Sequence, residues 1–312
     1  MISDWMGEIR PKTLLLASTN CGVGCSLGFY YGVVNAYTLT VALLIIVTGV
    51  LLQILSNFAD DYGDAIKGAD GPNRVGPIRA VMLGSISLTT LRKAMALVII
   101  MATITGIMVL VMAVGDNLEL LSKFAFLGVL AIMAAIFYTI GFAYGYKGFG
   151  DIAVLAFFGL ASVIGSQILI QGASGVDIDW YYDTIALGLA IGLQSMMVLH
   201  VSAMRDIMED RLSGKSTIAS RLGYKKSAIY MAILCGVSAL LSIGASFFNH
   251  KQWEAIVIAF ACLPLAASTF RANIHYENSQ KIARERKYCL IGCTIHNLAW
   301  IIVLIIDFWI YY

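Results

Sequence analysis

Long apolar runs recur from one end of this chain to the other, and they restrict its fold more than any motif does. A run of about 18 residues or more with few charges is long enough to cross the hydrocarbon core of a bilayer as a helix. Inside that core, only helices and closed barrels satisfy their own backbone groups. We place such runs near residues 14–34, 39–58, 94–114, 122–140, 152–171, 184–204, 226–247, 252–270 and 288–310. Charged residues make up only 13% of the chain, and four prolines with no long polar tract leave little room for a separate soluble domain. The expectation is an all-α, polytopic membrane protein of about nine transmembrane helices, a single domain over residues 1–312.

Lys and Arg placement sets the orientation. Nine spans divide the connecting segments between two sides. The side with the N-terminus and the segments after spans 2, 4, 6 and 8 carries nineteen of the 21 basic residues, leaving Lys123 and Lys251 for the other. The first side is therefore expected to be cytoplasmic and the C-terminus external, in the inner (cytoplasmic) membrane. Residues 1–10 are polar and mixed in charge, and the first apolar run is long enough to span, so no cleavable signal is expected. The net charge of +2 follows this topology and suggests no nucleic-acid partner. Cys21/Cys25 and Cys289/Cys293, the latter near His296, read as small residues in helix interfaces, and neither zinc nor a disulfide is expected.

Against this apolar background two acid-rich stretches stand out, Asp60-Asp61-Tyr62-Gly63-Asp64 with Asp70 beyond, and Asp206-Ile207-Met208-Glu209-Asp210. They hold seven of the 19 acidic residues. Four expected spans separate them, so both emerge on the cytoplasmic side. Carboxylates gathered at the end of a span are expensive and mark a functional site by default. Asp60 and Asp64, and Asp206 and Asp210, have i,i+4 spacing and can share a helix face. Unpaired, they repel one another, and a divalent cation removes that penalty. Grouped hard oxygen ligands suit Mg²⁺, and Mg²⁺ suits diphosphate. Asn57 and Gln53 lie on roughly the same stripe one and two turns deeper; Arg74, Arg79, Arg205, Arg211, Lys215 and Arg221 flank the clusters. A solvated juxtamembrane loop would account for one such cluster, but two on one face argue for a site. Their spacing of 146 residues gives a weak internal repeat, from duplication or convergence.

The third feature is Tyr138-Thr139-Ile140-Gly141-Phe142-Ala143-Tyr144-Gly145-Tyr146-Lys147-Gly148-Phe149-Gly150-Asp151. Its glycines imply a non-helical cytoplasmic turn. It reads either as an aromatic belt or as a lid whose tyrosines line a pocket and whose Lys147 meets phosphate. His200 reads as a satisfied interior residue, and Lys225 and Arg286 as basic residues that topology alone explains.

Several of these words, in this order, resemble the UbiA superfamily of intramembrane prenyltransferases, and within it the 1,4-dihydroxy-2-naphthoate polyprenyltransferases of menaquinone synthesis. They are Arg10-Pro11-Lys12-Thr13-Leu14, Asp61-Tyr62-Gly63-Asp64 with Lys67-Gly68-Ala69-Asp70, Arg74-Val75-Gly76-Pro77-Ile78-Arg79, the Tyr138–Asp151 segment, and Met204-Arg205-Asp206 to Asp210-Arg211 with Gly214-Lys215-Ser216-Thr217. The chain departs from the family where Asp60 replaces an asparagine, where Ser202-Ala203 replaces Asn-Asn, and where Ile140-Gly141-Phe142 replaces a Gly-Gly pair.

The resemblance implies a nine-helix bundle with a central cavity open to the cytoplasmic side and a Mg²⁺-dependent transfer of a polyprenyl group from its diphosphate to an aromatic ring. For the naphthoate subgroup the product is demethylmenaquinone, with loss of CO₂ and diphosphate. Asp61, Asp64, Asp206 and Asp210 are the expected catalytic residues, and these four with Asp60 and Asp70 the expected metal ligands. Arg10, Asn57, Lys67, Arg79, Lys147, Arg205 and Lys215 are expected at the diphosphate, with Arg79, Lys147 and Arg205 converging from three segments. Tyr62, Tyr138 and Tyr144 are expected at the acceptor. Two alternatives are another acceptor such as 4-hydroxybenzoate, and a divalent-cation or solute transporter. A transporter should carry ionisable groups near mid-span, whereas these sit at one rim.

Overall fold

The computed structural model describes residues 2–68, 76, 78–248 and 252–311. Among them the regular structure is helical throughout: α1 (Ile2–Ile9), α2 (Pro11–Tyr30), α3 (Ala36–Lys67), α4 (Leu88–Val114), α5 (Leu118–Phe137), a 3₁₀ turn (Tyr144–Lys147), α6 (Gly150–Val154), a π-helical stretch (Leu155–Ala161), α7 (Ser162–Ser174), α8 (Tyr182–Arg205), α9 (Ile207–Leu212), α10 (Ile218–Ala245), α11 (Gln252–Ile274) and α12 (Ser279–Tyr311). Eight helices are long and apolar enough to cross a membrane, α6, the π-helical stretch and α7 running on as one. The ninth expected span is α2, which has the length, 20 residues, but carries Thr13, Ser18, Thr19, Asn20 and Ser26. Thr19, Asn20 and Ser26 are buried, and Asn20 donates to the Phe158 carbonyl at 2.9 Å and to Ser195 Oγ at 3.1 Å.

Sequence signals explain the element ends. Asn35 caps α3 in a reciprocal capping box with Thr38. Ser87, Asn117 and Thr217 cap α4, α5 and α10 by accepting backbone N–H bonds. Gly68 closes α3 in the left-handed region, at φ 61°.

Several helices overrun the expected spans at one end. α3 continues to Lys67, so the first acidic cluster lies on its last two turns and not in a loop. The second cluster is built differently. Asp206 leaves helical geometry (φ −101°, ψ 14°), ending α8 and starting the short α9 that carries Asp210. The weak repeat in sequence is therefore no repeat in local structure. The N-terminal stretch is a helix: α1 sets the Trp5 ring 5.8 Å from that of Phe58 and packs Trp5 and Ile9 on the core around α3 and α4. His200 is buried, with Nε2 3.0 Å from the Ser227 carbonyl, and His296 sits between Ser242 and Asn297.

Candidate functional site

A cavity of about 690 Å³ runs down the bundle, lined along α3 from Ile45 to Asp64. At 1.5 Å per residue this is a length of roughly 28 Å. Most of its wall is apolar, with Leu52, Ile107, Leu110, Leu127, Ile132 and Phe157 as examples. Both α5 (Phe124, Gly128, Ala131) and the α6–α7 helix (Phe157, Ala161, Gly165) line it, although α5 packs mainly on α3 and α4. One end is densely charged, with Arg10, Asp60, Asp64, Arg79, Arg205, Asp206, Asp210, Lys215 and Arg286.

Four chain segments build that end. Asp61 is 2% exposed on α3; Arg10 reaches one of its oxygens, Arg79 Nε stands 3.3 Å from the same oxygen, and Arg10 also pairs with Asp60 at 3.0 Å. Arg10 takes a left-handed backbone (φ 55°), a conformation that costs a non-glycine residue of order 1–3 kcal/mol. Its two carboxylate partners hold it there. Arg79 Nη1 donates to the Gly7 carbonyl at 3.0 Å, so the end of α1 aims this side chain. Asn57 donates to the Ile9 carbonyl and to Thr13 and accepts from Gln53. Its amide thus fastens the start of α2, and with it Arg10, to α3.

The second cluster meets the first through Lys215 and Tyr146. Lys215 Nζ lies 3.8 Å from Asp64 Oδ2, and the Tyr146 hydroxyl donates to Asp64 Oδ1 at 2.7 Å. Arg205 forks onto Asp206, and Thr217 donates to Asp210 at 2.9 Å. Burial raises the Asp210 carboxyl to about 6, although Lys215 and Thr217 pull the other way. Burial would discharge Lys215, but Asp64, Asp60 and Asp210 more than offset it and hold the ammonium above the usual lysine range. Burial, then Asp64, keeps the Tyr146 phenol protonated above its ordinary range.

The glycine-rich segment is a strap across these groups. Gly63 lets α3 approach Thr139, whose hydroxyl donates to the Ala59 carbonyl at 2.6 Å. Gly148 takes φ 82° and would strike the Ser216 carbonyl with a Cβ. Ser216 in turn donates its N–H to the Tyr146 carbonyl at 2.8 Å.

Of the sequence-predicted residues, the structure brings Arg10, Asn57, Asp60, Asp64, Arg79, Tyr138, Tyr144, Arg205, Asp206, Asp210 and Lys215 to the cavity wall, with Asp61 buried behind Arg10. Three others are not brought to the wall. Lys147 is exposed and lies 3.6 Å over the Phe142 ring, because successive residues of a 3₁₀ turn point about 120° apart and Tyr146 takes the inward direction. Lys67 donates to the Thr139 carbonyl and covers the Tyr146 ring, so it fastens the strap from outside. Tyr62 packs in the core between α3 and α4. Asp70 and Arg74 lie outside the described residues.

Sequence reasoning missed Arg286, which lines the cavity although topology alone would account for a charge there. The signal was available: Arg286 shares a helical stripe with Ile282, Cys289 and Cys293, all buried. Ser202 and Ala203, the departures noted in the sequence, also line the wall.

The fit to a magnesium ion is set by these carboxylates. Among the described residues no three metal-ligating groups converge as they stand. Mg²⁺ does not require that, since it keeps waters and commonly takes one or two carboxylates plus substrate phosphates. Asp61 Oδ2 is buried without an N–H donor and has the Glu8 carboxyl beside it, so this oxygen is under-satisfied in the way such an ion would relieve.

Fold and site together define a multi-pass, all-helical membrane protein whose long apolar cavity ends in alternating carboxylates and cations, a shape suited to an amphiphile with a polyanionic head. The chain belongs to the UbiA prenyltransferase family, whose model matches residues 19–306. It is 39% identical over 264 residues to a 1,4-dihydroxy-2-naphthoate octaprenyltransferase of Haemophilus influenzae, covering 84% of this chain and 83% of that one. It is 33% identical to the enzyme of the same name from Escherichia coli, covering 98% and 96%. Solved structures share the fold: a UbiA homolog from Aeropyrum pernix at TM-score 0.69 and 14% identity (95% of this chain, 98% of that one), and one from Archaeoglobus fulgidus bound to DMAPP and Mg²⁺ at TM-score 0.62 and 14% identity (96% and 99%).

Proposed function

We propose that this prenyltransferase moves a polyprenyl group from polyprenyl diphosphate to 1,4-dihydroxy-2-naphthoate, releasing diphosphate and CO₂ and giving demethylmenaquinone. The observation that carries the reading is the cavity itself, apolar over most of its length and charged at one end by Arg10, Asp60, Asp64, Arg205 and Lys215. The names of the Haemophilus influenzae and Escherichia coli relatives support the acceptor.

The chemistry follows from where charge develops. As the allylic C–O bond breaks, negative charge grows on the leaving diphosphate, and cations fixed there stabilise the transition state preferentially. Arg10, Arg79, Arg205 and Lys215 supply those cations. Mg²⁺, held by Asp61, Asp64, Asp206 and Asp210 with Asp60 beside them, supplies further charge neutralisation when bound. With those aspartates engaged by a metal, Arg10, Arg205 and Lys215 would be available to the diphosphate. Tyr138 and Tyr144 wall the space beside the reacting carbon and exclude water that would quench an allylic cation. The new C–C bond forms at the ring carbon bearing the carboxylate, and the bonding pair left by departing CO₂ restores the aromatic ring. The sparse contact between α5 and the α6–α7 helix offers the isoprenoid tail a lateral way in from the bilayer.

The distribution of basic residues supports a cytoplasmic N-terminus, an external C-terminus and residence in the inner membrane, with the charged cavity end on the cytoplasmic side. Membranes containing the protein, incubated with labelled polyprenyl diphosphate and a panel of aromatic acids, test the reading. Label should pass to 1,4-dihydroxy-2-naphthoate with release of CO₂. Transfer only to 4-hydroxybenzoate would move the assignment to that acceptor, and no transfer with metal-coupled uptake would favour a transporter.

A further inference from the structure

Arg286 on α12 differs from every other cation on the cavity wall. Arg10, Arg79, Arg205 and Lys215 each stand within 4 Å of an aspartate oxygen. Arg286 forms no hydrogen bond or ion pair among the described residues, and its Nε is buried without a partner. It lies within electrostatic reach of Arg10, Arg205 and Arg79, and of one carboxylate, Asp60, which Arg10 already binds. A half-buried guanidinium whose Nε is shielded from water, beside three cations and with no anion of its own, is costly unless an anion joins it. The other face of α12 at this level is already committed, with Glu285 bound by Arg271 at 2.9 Å through both of its oxygens.

We propose that Arg286 binds the carboxylate of the aromatic acceptor and so selects acids over the corresponding phenols. This rests on the acceptor class assigned above. Two anions must enter this end of the cavity, the diphosphate and the acid. The diphosphate is served by the metal and the four cations that the aspartates now hold. α12 contributes none of those aspartates, and its arginine is left over for the second anion. A planar guanidinium matches a planar carboxylate through two parallel N–H···O bonds, a geometry lysine does not reproduce.

The test is equilibrium binding to the full-length protein in lipid nanodiscs without prenyl diphosphate, comparing 1,4-dihydroxy-2-naphthoate with 1,4-naphthalenediol, which lacks the carboxylate. Arg286→Met should weaken the acid about ten- to a hundredfold, as expected for one charge-assisted contact, and leave the diol unchanged. Arg286→Lys should fall between, and Arg284→Met, an exposed neighbour, should match wild type. An unchanged affinity for the acid, an equal loss for the diol, or a loss confined to prenyl diphosphate would each overturn the proposal. If the wild type instead prefers 4-hydroxybenzoate over phenol and Arg286→Met abolishes that preference, the naphthoate reading falls while the role of Arg286 stands.

Discussion

Lys215 Nζ stands 3.8 Å from Asp64 Oδ2, and this contact joins the two acidic regions across 151 residues of sequence. Lys215 therefore belongs to both clusters, and neither is complete without the other. Because the cluster on α3 and the α8–α9 break share one cation, losing a carboxylate from either side should be felt by the whole end of the cavity.

Asp64→Asn and Asp206→Asn should each abolish prenyl transfer while the protein still inserts and melts as a folded species. EDTA should do the same to the wild type. Turnover assays with and without Mg²⁺, alongside thermal melts in detergent, check this. Full activity in either variant, or indifference to EDTA, would remove the metal assignment.

Asp60 stands 3.0 Å from Arg10, at the position where the resemblance implies an amide. Asp60→Asn should remain active and need more Mg²⁺ for half-maximal rate, because one ion partner is lost and the backbone is unchanged. A Mg²⁺ titration of initial rates measures the shift.

Arg79→Met and Arg205→Met should each weaken prenyl diphosphate use by one to two orders of magnitude, the equivalent of about 1.5–3 kcal/mol for a charge-assisted contact. Lys147→Met and Lys225→Met should stay close to wild type, since neither side chain lines the cavity. Equal losses at all four positions would point to membrane insertion and not to phosphate.

Asp210 should set an acidic limb in the pH profile. Burial places its carboxyl at about 6, so the ionised form that holds a metal dominates above that pH and is lost as the pH falls through it. Raising Mg²⁺, which competes with the proton for the same carboxylate, should move the limb to lower pH. A limb that does not respond to Mg²⁺ would assign it to a group outside the metal site.

Gly63→Ala should destabilise the protein by about 1–3 kcal/mol. The added methyl would come within 2.6 Å of the Thr139 side chain and 2.9 Å of its backbone. Because Thr139 anchors the strap to α3, the same change should also lower affinity for prenyl diphosphate through displaced Tyr146. Thermal melts and a KM measurement separate the two effects.

Hydropathy and charge are local properties, and whatever depends on them was legible in the chain. The long helices, the meeting of both acidic clusters at one end of the bundle, and the glycine-rich break at residues 138–151 all follow from them. The i,i+4 spacing of Asp60 and Asp64 placed two carboxylates on one face, and α3 does continue as a helix through them. Which side chains turn inward was decided by packing between segments far apart in sequence. Tyr146 and Lys147 are adjacent, yet one binds Asp64 and the other leaves for Phe142. In sequence Arg286 is one more basic residue among those that topology explains; the packing of α12 against α2 and α8 puts it on the cavity wall. The pairing of each aspartate with a particular cation was likewise settled only in three dimensions. A carboxylate at the rim of a bilayer takes whichever opposite charge the assembled bundle brings within about 4 Å, and sequence distance has no bearing on that choice.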